Sequence, residues 1–518
     1  MYIHKLDNDS LLQIFSRYRL KHEEDWNLRL TWRNLAHVCQ RWRYLMFDMW
    51  FHLDMSLVLT INSPPINTLG HLPPIPLLIE FSDHGTRTMS QRDEENIRLG
   101  LVQWHDRVCQ VDFRAPSSSL RIWLGQMNQP FPRLRGLSLL STSTEENLVL
   151  PERFQAPDLR RLTLHSIGLS TRSTLLLSSA ITLSTLSLTH VGASSYLSPG
   201  HLVKQLQGLP HLEELSIGFA IPIPLPSTEG KLLPAPIPPV TLPSLRRLTF
   251  RGVGVYLDNL LAQANAPLLE RLNLTLLFEL DYTLVNLTEF IRRTEGLASG
   301  YPDFRVNFKK DGVYVDAGHK KLAYHEPWDI KALSVHVNCE PLDWQMDSAA
   351  QFCRAFGKVV STVEVLILDL DVDAMPSDWE NMLDDMPWHE LLLPFIGVKR
   401  LYIGSSLILE LSRTLESVIG ELVLDLLPEL QELEAPVEID QVTNLFSKFV
   451  KARESVGRPV HLLSDSAGIA ARRRPLISET MAAIGVSRFA KKFAIPEAKR
   501  GTSVGAKPSL RVNREGGT

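Results

Sequence analysis

The sequence contains 518 residues, of which 44% are hydrophobic and 22% are charged, and its formal net charge is −4. A chain of this length exceeds one compact core, so we expect several domains or an extended repeat array. The near balance of charge argues against electrostatic binding by the chain as a whole. The sequence predicts no transmembrane helix, because it contains no run of about 18 apolar residues.

The first ten residues and the cysteines predict an intracellular protein. The segment MYIHKLDNDS carries charges where a secretory signal needs an apolar core. Cys39, Cys109, Cys339 and Cys353 form no Cys-x-x-Cys pair and no readable disulfide framework. We therefore expect free thiols in a reducing compartment, the cytoplasm or the nucleus.

Two short amphipathic helices are predicted within residues 1–60. Asp9 and Ser10 suit the start of a helix, and four apolar residues follow them, Leu11, Leu12, Ile14 and Phe15. A second helix, from about Trp32 to Phe47, spaces its apolar residues by three or four positions, at Leu35, Val38, Cys39, Trp42 and Leu45 or Met46. The connector at 21–25 is charged. Two such helices bury little surface alone, so they need each other, the next domain or a partner.

A phrase of the form Leu-x-x-Leu-x-Leu recurs through the middle of the chain. Its steps of about 25, 24, 29, 33 and 24 residues lie in or near the leucine-rich-repeat range. The strong copies are Leu134/Leu137/Leu139, Leu159/Leu162/Leu164, Leu183/Leu186/Leu188, Leu212/Leu215/Ile217, Leu245/Leu248/Phe250 and Leu269/Leu272/Leu274. The weaker copies are Ile330/Leu333/Val335, Val363/Leu366/Leu368, Val398/Leu401/Ile403 and Leu430/Leu433.

Each copy predicts a strand with one buried face, because apolar and polar positions alternate in it. No such unit buries its own apolar side, so neighbouring units must stack into a solenoid. The competing interpretation is a set of unrelated strands in an ordinary α/β domain. The exposed positions between the leucines could select a partner or keep the surface soluble, and for any single position solubility is favoured. These positions are Arg160, Arg161, Glu213, Glu214, Arg246, Arg247, Glu270 and Arg271.

The predicted fold class is therefore α/β: a small helical module, an irregular leucine-rich-repeat solenoid and a disordered basic tail. The predicted boundaries are 1–60 for the module, 61–130 for a proline-rich linker and the first irregular repeats, 131–463 for the solenoid and 464–518 for the tail. Residues 220–243 are rich in proline and predict a loop inserted in one repeat, either a stiff spacer or a ligand for a proline-reading domain.

The N-terminal residues resemble the F-box motif. LDNDSLLQIF and WRNLAHVCQRWRYL, followed by Trp50, match the family's two helices and its closing aromatic residue. Asp7 stands where the family usually has proline, and the connector after Phe15 is longer than usual. With its proline-rich crossing and irregular repeats, the chain is similar to the large F-box families of mushroom-forming fungi.

This resemblance implies a substrate-recognition subunit of an SCF-type ubiquitin ligase. The F-box would bind the Skp adaptor, and a cullin through it, while the repeats bind an unknown protein substrate. The implied adaptor-binding residues are Leu6, Leu11, Leu12, Ile14, Phe15, Leu35, Val38, Cys39, Trp42, Leu45 and Trp50. The same side chains could instead only hold the helical module together. The alternative function is a repeat scaffold that works without ubiquitin transfer.

No catalytic, cofactor or metal site is predicted. Gly252-Val253-Gly254 lacks the third glycine of a dinucleotide loop. His389-Glu390, and His336 near Cys339, lack metal-ligand spacing, and the acidic run 369–385 lacks the glycine of an EF-hand loop. The basic residues of the tail, at 472–474 and 491–492, favour solvated charge over a nuclear-import or nucleic-acid contact. We therefore expect a non-catalytic protein without a membrane or nucleic-acid partner.

Overall fold

The computed structural model describes residues 5–20, 35–49, 56–59, 74–83, 89–143, 148–169, 180–192, 195–220, 239–277, 284–298, 300–318, 331–371, 387–417 and 426–464. The chain divides into two units, Met1–Asp465 and Ser466–Thr518, and every described residue lies in the first. Six features predicted from the sequence lie outside or largely outside these residues: Trp50, the connector at 21–25, the proline-rich part of the linker at 60–73, the proline-rich loop at 221–238, the acidic run at 372–385 and the basic tail beyond Ser464.

The helices lie between the strands along most of the chain. They are α1 (Asn8–Leu20), α2 (Gln40–Asp48), α3 (Gln91–Val102), α4 (Ser117–Gln126), α5 (Pro199–Leu206), α6 (Gly254–Gln263), α7 (Val285–Arg293), α8 (Glu295–Ala298), α9 (Leu342–Ala355), α10 (Gly357–Val360), α11 (Trp388–Leu392), α12 (Ile408–Ser417) and α13 (Ile439–Ser455). A 3₁₀ helix covers Ser405–Leu407. None of the described helices is long and apolar enough to cross a membrane.

Sixteen strands form one large sheet in the order β1-β2-β3-β4-β6-β8-β9-β11-β13-β16-β15-β14-β17-β18-β19-β20. Their bounds are β1 (Leu57–Val58), β2 (Leu77–Ser82), β3 (Val108–Ala115), β4 (Gly136–Ser141), β6 (Arg161–His165), β8 (Thr185–Val191), β9 (Glu214–Phe219), β11 (Arg247–Gly252), β13 (Arg271–Leu277), β14 (Asp303–Lys309), β15 (Gly312–Gly318), β16 (Lys331–Asn338), β17 (Val365–Leu370), β18 (Arg400–Ile403), β19 (Glu432–Ala435) and β20 (His461–Ser464). Two small parallel pairs stand apart, β5 (Leu148–Val149) with β7 (Ile167–Gly168) and β10 (Val240–Thr241) with β12 (Ala264–Asn265).

The repeated leucine phrases align in register across this sheet. Leu137 pairs with Leu162, Leu162 with Leu186, and Leu186 with Leu215, and the row continues through Leu248, Leu272 and Leu333. A second row runs through Leu366, Leu401, Leu433 and Leu462. Apart from Leu462, which is partly buried, these leucines are at most 3% exposed. The predicted strands are therefore confirmed as one large parallel sheet with a shared core.

Each repeat is bound to the previous one at the start of its strand. The backbone carbonyl of Arg160 accepts hydrogen bonds from the backbone N–H groups of Ser184 (2.8 Å) and Thr185 (3.0 Å). The carbonyl of Glu213 accepts in the same way from Arg246 (2.8 Å) and Arg247 (3.0 Å). This repeated pattern satisfies backbone groups that the turn before each strand would otherwise leave unpaired.

An antiparallel hairpin interrupts the parallel sheet, and the sequence interpretation did not include it. β14 and β15 pair antiparallel around the turn at Lys309–Gly312, and β15 then pairs antiparallel with β16. The hairpin thus lies between β16 and β17, and β14 restores the parallel direction beside β17. Phe304, Val306 and Phe308 alternate with polar residues before an Asp-Gly turn, which is a hairpin signature.

The continuous second helix predicted from Trp32 to Phe47 is wrong. Helix α2 begins at Gln40, and Cys39 before it is extended, with φ −158° and ψ 169°. Because the chain turns at 37–38, Leu35 and Val38 do not lie on one helical stripe with Trp42. The three-residue spacing that suggested one stripe spans a break between two segments.

Candidate functional site

The helical module is built around an aromatic pair. The rings of Phe15 on α1 and Trp42 on α2 meet edge to face with centroids 4.8 Å apart. Leu11 and Leu45 are buried beside them, at 0% and 2% exposed. Leu6, Leu12 and Leu35 are partly buried against the same cluster, which continues into the core under the sheet.

Polar contacts fix the start of α1 against α2. The Asp7 carboxylate accepts a hydrogen bond from the Ser10 backbone N–H (2.7 Å), and this bond lowers the pKa of Asp7. The Arg41 guanidinium donates to the Leu6 carbonyl (2.7 Å) and to the Asn8 side-chain oxygen (2.8 Å). Asp7, at the position where the F-box family usually has proline, therefore caps a helix turn here.

The predicted adaptor-binding residues separate into buried and exposed groups. Phe15 and Trp42, two of the implied adaptor-binding residues, are only 2% and 8% exposed. Ile14 and Val38 are 43% and 58% exposed, and Cys39 is also exposed. Tyr44, which the sequence interpretation did not include, is 65% exposed. The side chains open to a partner are thus Ile14, Val38, Cys39 and Tyr44, while the buried residues shape the module from inside.

The outward side of the sheet offers a second, larger surface. We use the name arginine face for the outward positions of six neighbouring parallel strands, β4, β6, β8, β9, β11 and β13. Its central row consists of short polar side chains, Ser138, Thr163, Ser187, Ser216, Thr249 and Asn273. The row on the amino-terminal side is Gly136, Arg161, Thr185, Glu214, Arg247 and Arg271, and the row on the carboxyl-terminal side is Leu140, His165, Thr189, Gly218, Arg251 and Thr275.

Many of the charges singled out in the sequence pair with one another along the strand starts. Arg247 forms an ion pair with Glu214, and Arg246 forms one with Glu270. Further along, Lys399 pairs with Glu364 at 2.7 Å. Exposed pairs of this kind contribute about 0–1 kcal/mol each. Their main consequence is to neutralise the surface locally.

Histidines gather at the carboxyl-terminal side of the arginine face. The rings of His165 and His190 lie 4.2 Å apart, and His165 Nδ1 is 2.9 Å from the Thr189 hydroxyl. Burial lowers the pKa of His165 to about 4, with smaller contributions from His190 and Arg114. Burial also lowers the pKa of His190, and Arg251 adds to that effect. Both imidazoles are therefore neutral at pH 7.

A bulge in β8 brings this pair together. His190 adopts a left-handed conformation, with φ 53°, and the register between β8 and β9 shifts between Leu188 and Val191. The extra residue of a bulge redirects a side chain, here onto the outward surface. The sequence motif did not reveal this, because the leucine phrase ends before Thr189.

The other histidines and the cysteines form no metal site in the described residues, where no three potential ligands cluster. His336 stacks on Tyr314 with ring centroids 4.0 Å apart. Cys339 is buried, and burial raises the pKa of its thiol to about 11, which disfavours the thiolate. Glu390 beside His389 pairs with Arg354 at 2.7 Å.

Comparisons with known proteins identify no family. No family model matches the chain, and no curated protein matches it. Among solved structures, a crystal structure of a TLR13–ssRNA13 complex aligns with 12% identity and a TM-score of 0.30, over 77% of this chain and 47% of that one. The chain thus spans about half the length of the aligned protein. The class follows from the sheet itself: a mixed α/β chain with a large parallel sheet, consistent with a leucine-rich-repeat-like solenoid.

Proposed function

We propose that this chain is the substrate-recognition subunit of an SCF-type ubiquitin ligase. The observation that carries the proposal is a helical module with exposed apolar side chains at one end of a sheet whose polar face is open to solvent. The module would bind the Skp adaptor, and the sheet face would bind the protein to be modified. The resemblance of residues 6–50 to the F-box supports the first role.

The adaptor would contact the exposed apolar residues of the module. Ile14, Val38 and Tyr44 expose large apolar surface that the fold leaves uncovered. Burying such surface stabilises a complex by about 25 cal/mol per Å2 before the cost of association. Phe15 and Trp42 would contribute by fixing the two helical segments against each other.

Purified full-length chain and Skp adaptor should elute together from a sizing column. The double variant Ile14→Asp/Val38→Asp should weaken the complex by more than about tenfold, because it places charge in an apolar contact without disturbing buried side chains. The matched control is Ile122→Asp/Ile181→Asp, which changes side chains that are 54% and 56% exposed elsewhere. Separate elution of the wild-type chain and the Skp adaptor would contradict the proposal.

A scaffold without ubiquitin transfer is the second candidate, and Asp7 favours it. Its carboxylate caps α1 at a position where the F-box family usually has proline. In this case the chain would hold its partners on the sheet face, and Ile14→Asp/Val38→Asp would leave those complexes intact. Partner abundance in cells would then be the same with and without proteasome inhibition, whereas a substrate receptor would lower it in a proteasome-dependent way.

A further inference from the structure

The arginine face carries an excess of positive charge. Its three outward positions on each of six strands include four arginines, Arg161, Arg247, Arg271 and Arg251, and one acid, Glu214. Glu214 pairs with Arg247. In the described part of the chain no carboxylate forms an ion pair with Arg161, Arg251 or Arg271. The whole sequence has a net charge of −4, so this cationic surface is local.

The shape of the face suits an extended ligand. The amino-terminal and carboxyl-terminal rows lie four residues apart on each strand, which is about 13 Å, and the six strands extend over about 24 Å. Between the rows lie short side chains such as Ser187 and Ser216 and the exposed Thr249 and Asn273. Three arginines in the amino-terminal row and Arg251 in the carboxyl-terminal row thus border a central row of short hydroxyl and amide side chains. A peptide of about seven extended residues covers that length.

Hydrogen-bonding chemistry favours an acidic peptide as the occupant. Guanidinium groups bind carboxylates and phosphate monoesters through paired charge-assisted hydrogen bonds. The hydroxyls of the central row can donate hydrogen bonds to the peptide carbonyls or accept them from the peptide N–H groups. Single-stranded nucleic acid needs aromatic platforms for its bases, and the eighteen positions of the face contain no Phe, Tyr or Trp.

Acidic residues occupy the central row on the strands beyond either side of the face. Asp112 occupies the central row on β3, beyond β4, and Asp316 occupies it on β15, beyond β13 and β16. The side chain of Asp316 is buried and accepts a hydrogen bond from the Ser334 hydroxyl at 2.7 Å. Asp112 is exposed and marks the edge of the face beyond β4, whereas Asp316 is too buried to contact a ligand on the surface.

We propose that the arginine face binds an extended, acidic segment of a partner protein, with carboxylates or phosphorylated side chains seated on Arg161, Arg251 and Arg271. The inference rests on the proposed function, since it assigns the chemistry of the substrate that the receptor would recognise. It places recognition at the six central strands and not along the whole sheet.

The test measures binding of labelled probes to the full-length chain by fluorescence anisotropy. The probes are a peptide of about eight glutamates, the same peptide with phosphoserines, a serine–glycine peptide of equal length, and a single-stranded oligonucleotide of equal charge. Both acidic peptides should bind, and the serine–glycine peptide should not. The variant Arg161→Glu/Arg251→Glu/Arg271→Glu should weaken acidic-peptide binding by more than about tenfold.

A matched variant, Lys204→Glu/Lys358→Glu/Lys451→Glu, makes the same change of charge on exposed helical residues and should bind like wild type. The proposal fails if neither acidic peptide binds, if the two triple variants behave alike, or if the oligonucleotide binds more tightly than the peptides. Co-elution with the Skp adaptor is measured in parallel. If the acidic peptides fail to bind the wild-type chain while the Skp adaptor still co-elutes with it, this inference alone is overturned. If the peptides bind and the adaptor does not co-elute, the proposed function alone is overturned.

Discussion

At the scale of single residues, the outward surface of the sheet contains a partly buried titratable group. His165 is enclosed by Thr189, the His190 ring and the nearby Arg114 guanidinium, and burial is the main cause of its low pKa. In the unfolded chain the same imidazole titrates near 6.5. The folded protein therefore binds fewer protons at this position than the unfolded chain at mildly acidic pH.

His165 should make the fold less stable as the pH falls. Because the pKa of His165 in the folded chain is about 4, His165 does not destabilise the fold above about pH 7. The destabilisation increases as the pH falls from 6.5 towards 4. The free energy of unfolding falls between pH 7 and pH 5 in the wild type. In His165→Asn this fall should be smaller by about 1 kcal/mol, after allowance for partial exposure. Denaturant unfolding at several pH values measures this. Equal curves for wild type and His165→Asn would contradict the assignment.

At the scale of one repeat, burial differs sharply between adjacent residues. Leu269, the first leucine of its copy, is 0% exposed, whereas Leu268 beside it is 51% exposed. Leu269→Ala should lower the free energy of unfolding by about 2–5 kcal/mol, because it leaves a cavity in the shared core. Leu268→Ala should change it by less than about 0.5 kcal/mol. Thermal or denaturant unfolding of the two variants makes the comparison, and similar losses would mean that the repeat phrase is out of register.

The repeat phrase predicted these elements because alternation and burial have the same period along a strand. Leu245 and Leu248 are buried as their spacing required, at 1% and 3% exposed. The phrase could not predict β14 and β15, since Val313 and Val315 alternate without the preceding leucine of a repeat. It also could not reveal the break at Cys39, where a three-residue spacing persists across a change of backbone direction.

For the candidate site, the sequence identified residues but not which of them would face solvent. Phe15 and Trp42 match the F-box pattern as well as Ile14 and Val38 do, yet only the latter two are largely exposed. The arginine face was partly visible, because Arg161 and Arg271 stood out as positions between leucines. Arg251 was missed: it lies one position past the end of the phrase, and only the pairing of β11 with β9 and β13 brings it beside the others.

At the scale of the whole molecule, the β14–β15 hairpin joins two blocks of parallel strands. In the order of the sheet, one block comprises β1, β2, β3, β4, β6, β8, β9, β11, β13 and β16. The other block comprises β14, β17, β18, β19 and β20. The hairpin turns at Gly312, which has φ +148° and lies so close to β16 that a Cβ there would clash with the Val337 carbonyl oxygen. Since repeat arrays are stabilised by contacts between neighbours, a fault here should separate the two blocks.

Gly312→Ala should therefore uncouple the sheet at one place. We expect a loss of more than about 2 kcal/mol in local stability, because the substitution combines a disfavoured backbone conformation with a clash against backbone. Amide hydrogen exchange should rise in β14 to β16 and in β17 to β20, and should stay slow in β4 to β11. Gly457→Ala is the matched control, since Gly457 has φ +76° but open space around it and lies near the far end of the array. Uniform acceleration across all strands would show instead that the sheet unfolds as one cooperative unit.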